Sequence, residues 1–385
     1  MKGFLAFVTG AAASRSYLTW TADSFIKHGV KPTQGYSEAT LYSGYEAAYD
    51  LTQSETYVEW YRGQIDGPVV LEDGTIKDWK STFYSLDNYR IGNNILWWYE
   101  HTQLDKYKSA ADVIRRQLDR HPRTPTGGFW HRDPNYPNQM WLDGIFMADS
   151  FYAKWTRLFD ADNETAWDDI ARQYDNIDAH TRNKTSQLLV HGYDESKKAV
   201  WADPLTGAAS LVWGRAVGWY FMSLLEAIPL FPPRHPGRER LVEYFTTLAA
   251  GLKEAQDDDS GGWWLIMSQP YPGAAGNYIE SSASAMFTLG WLKGIRLGLL
   301  DEREYLEPAR KAYNGLVENF VKVDEEKDDL LNWEGTVEVG SLGSNGTYEY
   351  YISIPLVEND HRGAGSFMLA SYEMERRLTQ DPFEG

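Results

Sequence analysis

Apolar positions with helical spacing fall into six long segments along the chain, at residues 38–52, 85–100, 139–159, 210–230, 280–300 and 363–377, each opening on polar or glycine-containing residues. In these segments the apolar and aromatic residues run round most of the helix, which predicts burial on nearly every side. Between them lie segments whose apolar residues keep to one stripe and whose other face carries Glu, Lys and Arg: 54–65, 105–120, 165–182, 238–255 and 302–320. Those read as helices with one face in water. The apolar segments start 47 to 83 residues apart, too irregularly for a solenoid but in keeping with helical hairpins joined by loops of varying length.

A buried helix followed by a solvent-facing one, about six times over, predicts an inner ring inside an outer ring. The expected fold is therefore all-α, a six-hairpin (α/α)6 barrel. Such a ring closes as one domain, taken as residues 16–385, and no Pro/Ser-rich linker divides it. The proline-rich stretch 231–236 reads as a turn between helices. Short β-like pieces at 188–193 with 199–202, at 262–267, and at 337–339 with 348–353 each precede an apolar helix. They predict small hairpins gathered at one mouth of the barrel, the place where a rigid scaffold carries binding residues.

Residues 1–15 stand apart. A positive start at Lys2, an apolar run from Phe4 to Ala13 and small residues at Ala11, Ala12 and Ala13 resemble a secretory leader, so an extracellular protein is expected, with a cytoplasmic one as the alternative. The sequons at Asn163, Asn183 and Asn345 fit secretion. The longest uncharged stretch, 260–279, is broken by Pro270, Pro272 and Gly273 and does not make a membrane span.

Composition narrows the function. The 385 residues contain no cysteine, which removes disulfide scaffolds, thiolate metal sites and cysteine nucleophiles. A formal net charge of -18 argues against nucleic acid, whose phosphates need Lys and Arg patches. Sixteen Trp and 25 Tyr supply broad apolar faces with one polar atom each, a surface suited both to sugar rings and to an aromatic-rich core. No His-x-x-x-His pair, His-Glu-x-x-His or EF-hand loop is present, so no metal or other cofactor is expected.

The chemistry is expected from carboxylates. Asp143 lies in the first turn of an apolar helix, among Met140, Trp141, Leu142, Ile145, Phe146 and Met147. Burial raises a carboxyl pKa and a helix N-terminus lowers it, which suits an acid working near neutral pH; a hydrogen-bonded core aspartate is the other reading. Asp87, in Tyr84-Ser85-Leu86-Asp87-Asn88-Tyr89, opens the preceding inner helix, either as a helix cap or as the second member of an acid pair. Arg215, between Trp213 and Trp219, needs a planar anionic partner. That partner is either a substrate carboxylate beside sugar-stacking indoles or an internal acid such as Asp87 or Asp143. His131 and His191 are weaker candidates for substrate contact.

Taken together, Gly128-Phe129-Trp130-His131, Gln139-Met140-Trp141-Leu142-Asp143-Gly144, Trp213-Gly214-Arg215-Ala216-Val217-Gly218-Trp219-Tyr220, Glu280-Ser281-Ser282-Ala283-Ser284-Ala285-Met286-Phe287 and Asn359-Asp360-His361-Arg362-Gly363-Ala364-Gly365 resemble the unsaturated rhamnogalacturonyl hydrolases of glycoside hydrolase family 105. The unsaturated glucuronyl hydrolases of family 88 are more distantly similar. The likeness runs from about Tyr17 to Arg377 and itself implies an (α/α)6 barrel. It implies oligosaccharide substrates whose non-reducing end is a uronate with a C4=C5 double bond, cleaved by hydration of that enol ether. In the resemblance Asp143 matches the acid that protonates C4, and Asp87 the second active-site carboxylate. His131, His191, Trp213, Arg215 and Trp219 match positions that touch substrate. Tyr36 opens the first inner helix as Tyr36-Ser37-Glu38-Ala39-Thr40, where the family more often has Trp and Gly, so its substrate contact departs from the pattern. Three alternatives remain: an inverting glycosidase with Asp87 as base and Asp143 as acid, a glycuronyl hydrolase for another polysaccharide such as ulvan, and a silent sugar-binding protein.

Overall fold

The computed structural model describes residues 16–327 and 329–380, so the leader expected at 1–15 lies outside the described residues. Fourteen helical segments follow one another: α1 (Tyr17–His28), α2 (Tyr36–Thr52), α3 (Glu55–Ile65), α4 (Ile91–Thr102), α5 (Asp105–Leu118), α6 (Leu142–Gly144), α7 (Ser150–Phe159), α8 (Glu164–Thr181), α9 (Gly214–Ala227), α10 (Pro236–Glu254), α11 (Ser281–Arg296), α12 (Glu302–Phe320), α13 (Tyr348–Ile352) and α14 (His361–Gln380). A π-helical stretch, Ile145–Asp149, joins α6 to α7, making them one inner helix with a bulge.

The expected double ring is present. The inner helices are α2, α4, α6 with α7, α9, α11 and α14, and α14 packs on α2 to close the circle. Gly365 makes that closure possible, because a Cβ there would stand 2.6 Å from the Thr40 carbonyl oxygen of α2. The outer helices are α1, α3, α5, α8, α10 and α12. Of these, α1 is the sixth member that the sequence pattern did not single out. It starts at a cap, Ser16 Oγ accepting from the Thr19 amide, and ends at Gly29 with φ 80°.

The two mouths of the barrel differ. An inner helix passes to the next outer one through short links: Gln53-Ser54 after α2, Gln103-Leu104 after α4, and the 228–235 turn ahead of Pro236, the first residue of α10. The return connections, from outer to inner, are long and carry all eight short strands. These are β1 (Tyr84–Ser85), β2 (Arg132–Asp133), β3 (Gln139–Trp141), β4 (Gly192–Asp194), β5 (Val321–Asp324), β6 (Leu330–Trp333), β7 (Thr336–Val337) and β8 (Leu356–Val357). They pair as β1 with β2, β3 with β4, β5 with β6 and β7 with β8, all antiparallel.

The strand positions correct the sequence reading in detail. Residues 199–202 form no strand; β4 pairs with β3 from another hairpin. Within 262–267 there are only isolated bridges, Trp264 to Ile279 and Ile266 to Trp213. Residues 348–352 are helical, because Thr347 accepts from the Tyr350 amide and caps α13, and Val337 pairs instead with Leu356.

Candidate active site

Two of these pairings, tied to each other, bring the acids together. In β1–β2, Ser85 faces Arg132 and the Leu86 amide donates to the His131 carbonyl, which sets Asp87 beside His131 and Arg132. In β3–β4, Trp141 faces Gly192 and the Leu142 amide donates to the His191 carbonyl, which sets Asp143 beside His191. The His131 amide donates to the Gln139 carbonyl and joins the two ladders. Four candidate residues from three connections thus meet without any of them being near another in sequence, apart from His131 and Asp143.

Asp143 Oδ2 lies 3.1 Å from His191 Nε2, and His191 Nδ1 lies 2.6 Å from the Tyr351 hydroxyl. In the tautomer that satisfies both contacts, Nε2–H donates to the carboxylate and Nδ1 accepts from Tyr351. Burial pushes the Asp143 carboxyl up, but the charges and hydrogen bond of His191, with His131 behind it, more than offset burial and hold it below the ordinary carboxyl value. Asp143 is therefore held as a carboxylate, in contrast to the near-neutral acid expected from its helix position. His191, in contact with the carboxyl, is the chief of these lowering influences.

His131 is buried, stacked on Trp141 with ring centroids 4.0 Å apart, and its Nε2 stands 3.7 Å from Asp87. Burial lowers its pKa and keeps it neutral near pH 7, against the pull of Asp87 and Asp143. Asp87 does not cap a helix. It sits in a 3-10 turn, Leu86–Tyr89, and accepts from Arg132 Nη2 at 2.5 Å.

Arg215 is 1% exposed and corrects the expectation of an internal acid. Neither Asp87 nor Asp143 pairs with it. Its Nη2 donates to the Val337 and Glu338 carbonyl oxygens, both at 2.6 Å, and its guanidinium lies 5.1 Å from the Trp213 ring centroid. No carboxylate among the described residues reaches it within ion-pair distance. Burial lowers its pKa, and the nearby Arg362 lowers it further, while Glu280 and Asp360 act the other way. Arg362 donates through Nε to Asp360 Oδ1 at 2.8 Å, and its Nη1 stands 3.4 Å from the Tyr36 hydroxyl. Tyr36 meets the edge of Trp219 at 6.3 Å and feels Arg362, Asp87 and Arg215, so it belongs to the same cluster.

Trp213 and Trp219 were expected as stacking platforms, yet each is only 1% exposed. Trp219 stacks on Phe146 and Trp213 on Tyr351, so both form the wall of the site. Gly340 lets a loop cross Trp213 closely, since a Cβ there would be 2.7 Å from the indole. Sequence reasoning missed Arg132, Tyr136, Trp141 and Tyr351 as members of the site. Tyr136, half-buried and tilted against Trp141 with ring centroids 4.5 Å apart, is an aromatic with more open surface. The described residues contain no group of three or more His, Asp or Glu able to hold a metal.

A carboxylate pair entering adjacent inner helices of a six-hairpin barrel, walled by indoles and served by imidazole and guanidinium, is the equipment of a glycoside hydrolase. The model of Glycosyl Hydrolase Family 88 matches residues 14–378, and the chain belongs to that family. It is a glycosidase of the unsaturated glycuronyl hydrolase class. A family 105 glycoside hydrolase structure from C. acetobutylicum is 35% identical, covering 94% of this chain and 100% of that one with a TM-score of 0.89. Protein Atu3128 of Agrobacterium fabrum is 36% identical over 215 residues, 54% of this chain and 89% of that protein. The unsaturated rhamnogalacturonyl hydrolase YesR of Bacillus subtilis is 27% identical over 247 residues, 63% of this chain and 65% of that protein.

Proposed function

We propose that the protein releases the unsaturated galacturonyl residue from the non-reducing end of rhamnogalacturonan oligosaccharides. The Asp143 carboxyl gives its proton to C4 of the enol ether, and the ring oxygen shares the positive charge that develops at C5. Water then adds at C5 and returns a proton to the Asp143 carboxylate. The resulting hemiketal opens and C1 releases the neighbouring sugar with its hydroxyl restored. An anionic uronate arriving beside Asp143 opposes the two imidazoles and raises the carboxyl towards its proton-holding form. Arg215 and Arg362 receive the uronate carboxylate, while Tyr36, Trp213 and Trp219 shape the ring's surroundings and His131 and His191 hold the acid and the sugar hydroxyls.

The observation that carries this reading is the asymmetry of the two acids. Asp87 is committed to Arg132, whereas the side-chain partner of Asp143 is the His191 imidazole. An inverting glycosidase needs its second carboxylate free to activate water; enol-ether hydration needs one acid. The YesR likeness favours rhamnose as the neighbouring sugar. The test is the loss of ultraviolet absorbance of the conjugated unsaturated uronate on adding enzyme to the galacturonyl-rhamnose disaccharide. A steady signal from folded protein, or cleavage of the saturated disaccharide at the same rate, overturns the reading. Export through a leader at residues 1–15 belongs to the same proposal, and amino-terminal sequencing of the protein recovered outside the cell checks it.

A further inference from the structure

The other mouth of the barrel, where inner helices pass to outer ones through short links, holds a cavity of about 540 Å³ lined from all six inner helices. Its residues lie well along those helices from the acids. Lys154 is eleven residues past Asp143 and Glu226 eleven past Arg215, roughly 16 Å at the rise of an α-helix. Arg90 separates the two ends. It is 1% exposed, its guanidinium lies 3.7 Å from the Phe146 ring, and that ring backs Trp219.

The charged groups lining this cavity are paired, with one exception. Arg90 forks onto Glu226 at 2.7 and 2.9 Å, Lys154 meets Glu100 at 2.9 Å, and Arg296 meets Glu373 at 2.6 Å. Asp50 accepts from Tyr372 at 2.5 Å. Glu46 accepts from Tyr61 and Asn94, and burial raises its pKa towards the neutral acid. Lys293, half-buried on α11, has no hydrogen-bond or ion-pair partner among the described residues, although Glu226 and Glu373 are close enough to act on it electrostatically. An ammonium drawn partly out of water with no contact partner is an unfilled anion position. Around it, Ser43 and the open carboxylates of Asp50 and Glu100 offer acceptors for hydroxyl groups, and Met222, Leu225 and Leu289 give an apolar wall.

We propose that this cavity is a second ligand site, for a small hydroxylated carboxylate of the sugar-acid class, with its carboxylate on Lys293 and its hydroxyls on the polar rim. Lys293 is the one cation of the lining without a contact partner, so a single carboxylate is the group assigned to it. The volume is ample for one monosaccharide acid and falls within the range of small-molecule pockets. The proposal is independent of the reaction assigned to the other mouth.

The experiment uses the full chain, reductively methylated with ¹³C so that each lysine gives a resonance, with the Lys293 signal identified by its absence from Lys293→Arg. D-galacturonate and D-gluconate should each move the Lys293 signal saturably at millimolar concentration, and D-galactose, the neutral control, should leave it in place. Asp143→Asn should show the same shift, which separates this site from the catalytic one. Calorimetry on Lys293→Met should find galacturonate bound about 10-fold more weakly at this site or not at all, with hydrolysis and melting temperature unchanged. An immobile Lys293 signal up to tens of millimolar, or an equal shift with sodium chloride or with galactose, overturns the proposal. If Lys293→Met fails to fold, the methyl signal of the parent chain still decides it.

Discussion

At the scale of single residues the site turns on Asp143 and what restrains it. Asp143→Asn removes the proposed proton donor, and the absorbance assay should show kcat down by roughly 10²- to 10⁴-fold with the melting temperature preserved. Because His191 and His131 hold the carboxyl low, kcat/KM of the parent enzyme should fall as pH rises through the depressed pKa of free Asp143. His191→Gln takes away the largest of the two lowering influences, so Asp143 keeps its proton to higher pH and the alkaline fall should move upward. The pH–rate profiles of the two proteins check the sign, and a downward or absent displacement contradicts it. Tyr351, held 2.6 Å from the far nitrogen of His191, sets the tautomer. Tyr351→Phe should lower kcat about 10-fold, in line with one buried hydrogen bond, while changing KM little.

At the scale of elements, the helices were legible and the strands were not. Periodicity over eleven or more residues is a strong signal, and the expected helical segments match α2–α5, α8–α12 and α14 to within a few residues. Of the ring helices only α1 escaped, a helix of twelve residues lying just after the apolar run 4–13, where the pattern blurs. Strands of two to four residues have no period to read, and the pairings that matter join residues 47 to 55 apart, such as Ser85 with Arg132 and Gln139 with Asp194. The same distance explains the misjudged Asp143. Its own neighbours predicted a balanced acid, but the deciding imidazole is 48 residues away. Tyr348–Ile352, rich in aromatics, reads as a strand until Thr347 is recognised as a cap. Gly365→Ala tests the tightest helix contact. With 2.6 Å available against the Thr40 carbonyl, the methyl should destabilise the fold by about 1–3 kcal/mol, seen as a lower denaturation midpoint.

At the scale of the whole molecule, a net charge of -18 repels the anionic substrate that Arg215 and Arg362 are proposed to attract. The repulsion is long-range and screened over about 8–10 Å at physiological salt, whereas Arg215 and Arg362 are buried and act at contact. Raising ionic strength from low to physiological should therefore increase kcat/KM on the charged disaccharide. A steady decline with salt in the same assay would mean that attraction by the site governs the encounter.

The closure of α14 on α2 also has a meaning in time. Arg362 reaches Tyr36 across 326 positions, His361 reaches Glu38 across 323, and the Ser16 hydroxyl donates to Glu375 across 359. A ribosome making the chain at about 5–20 residues per second therefore holds the apolar flank of α2 without its neighbour for some tens of seconds, until α14 has emerged. During that interval the nascent barrel is an open crescent, and the cell's chaperones meet it before any sugar does.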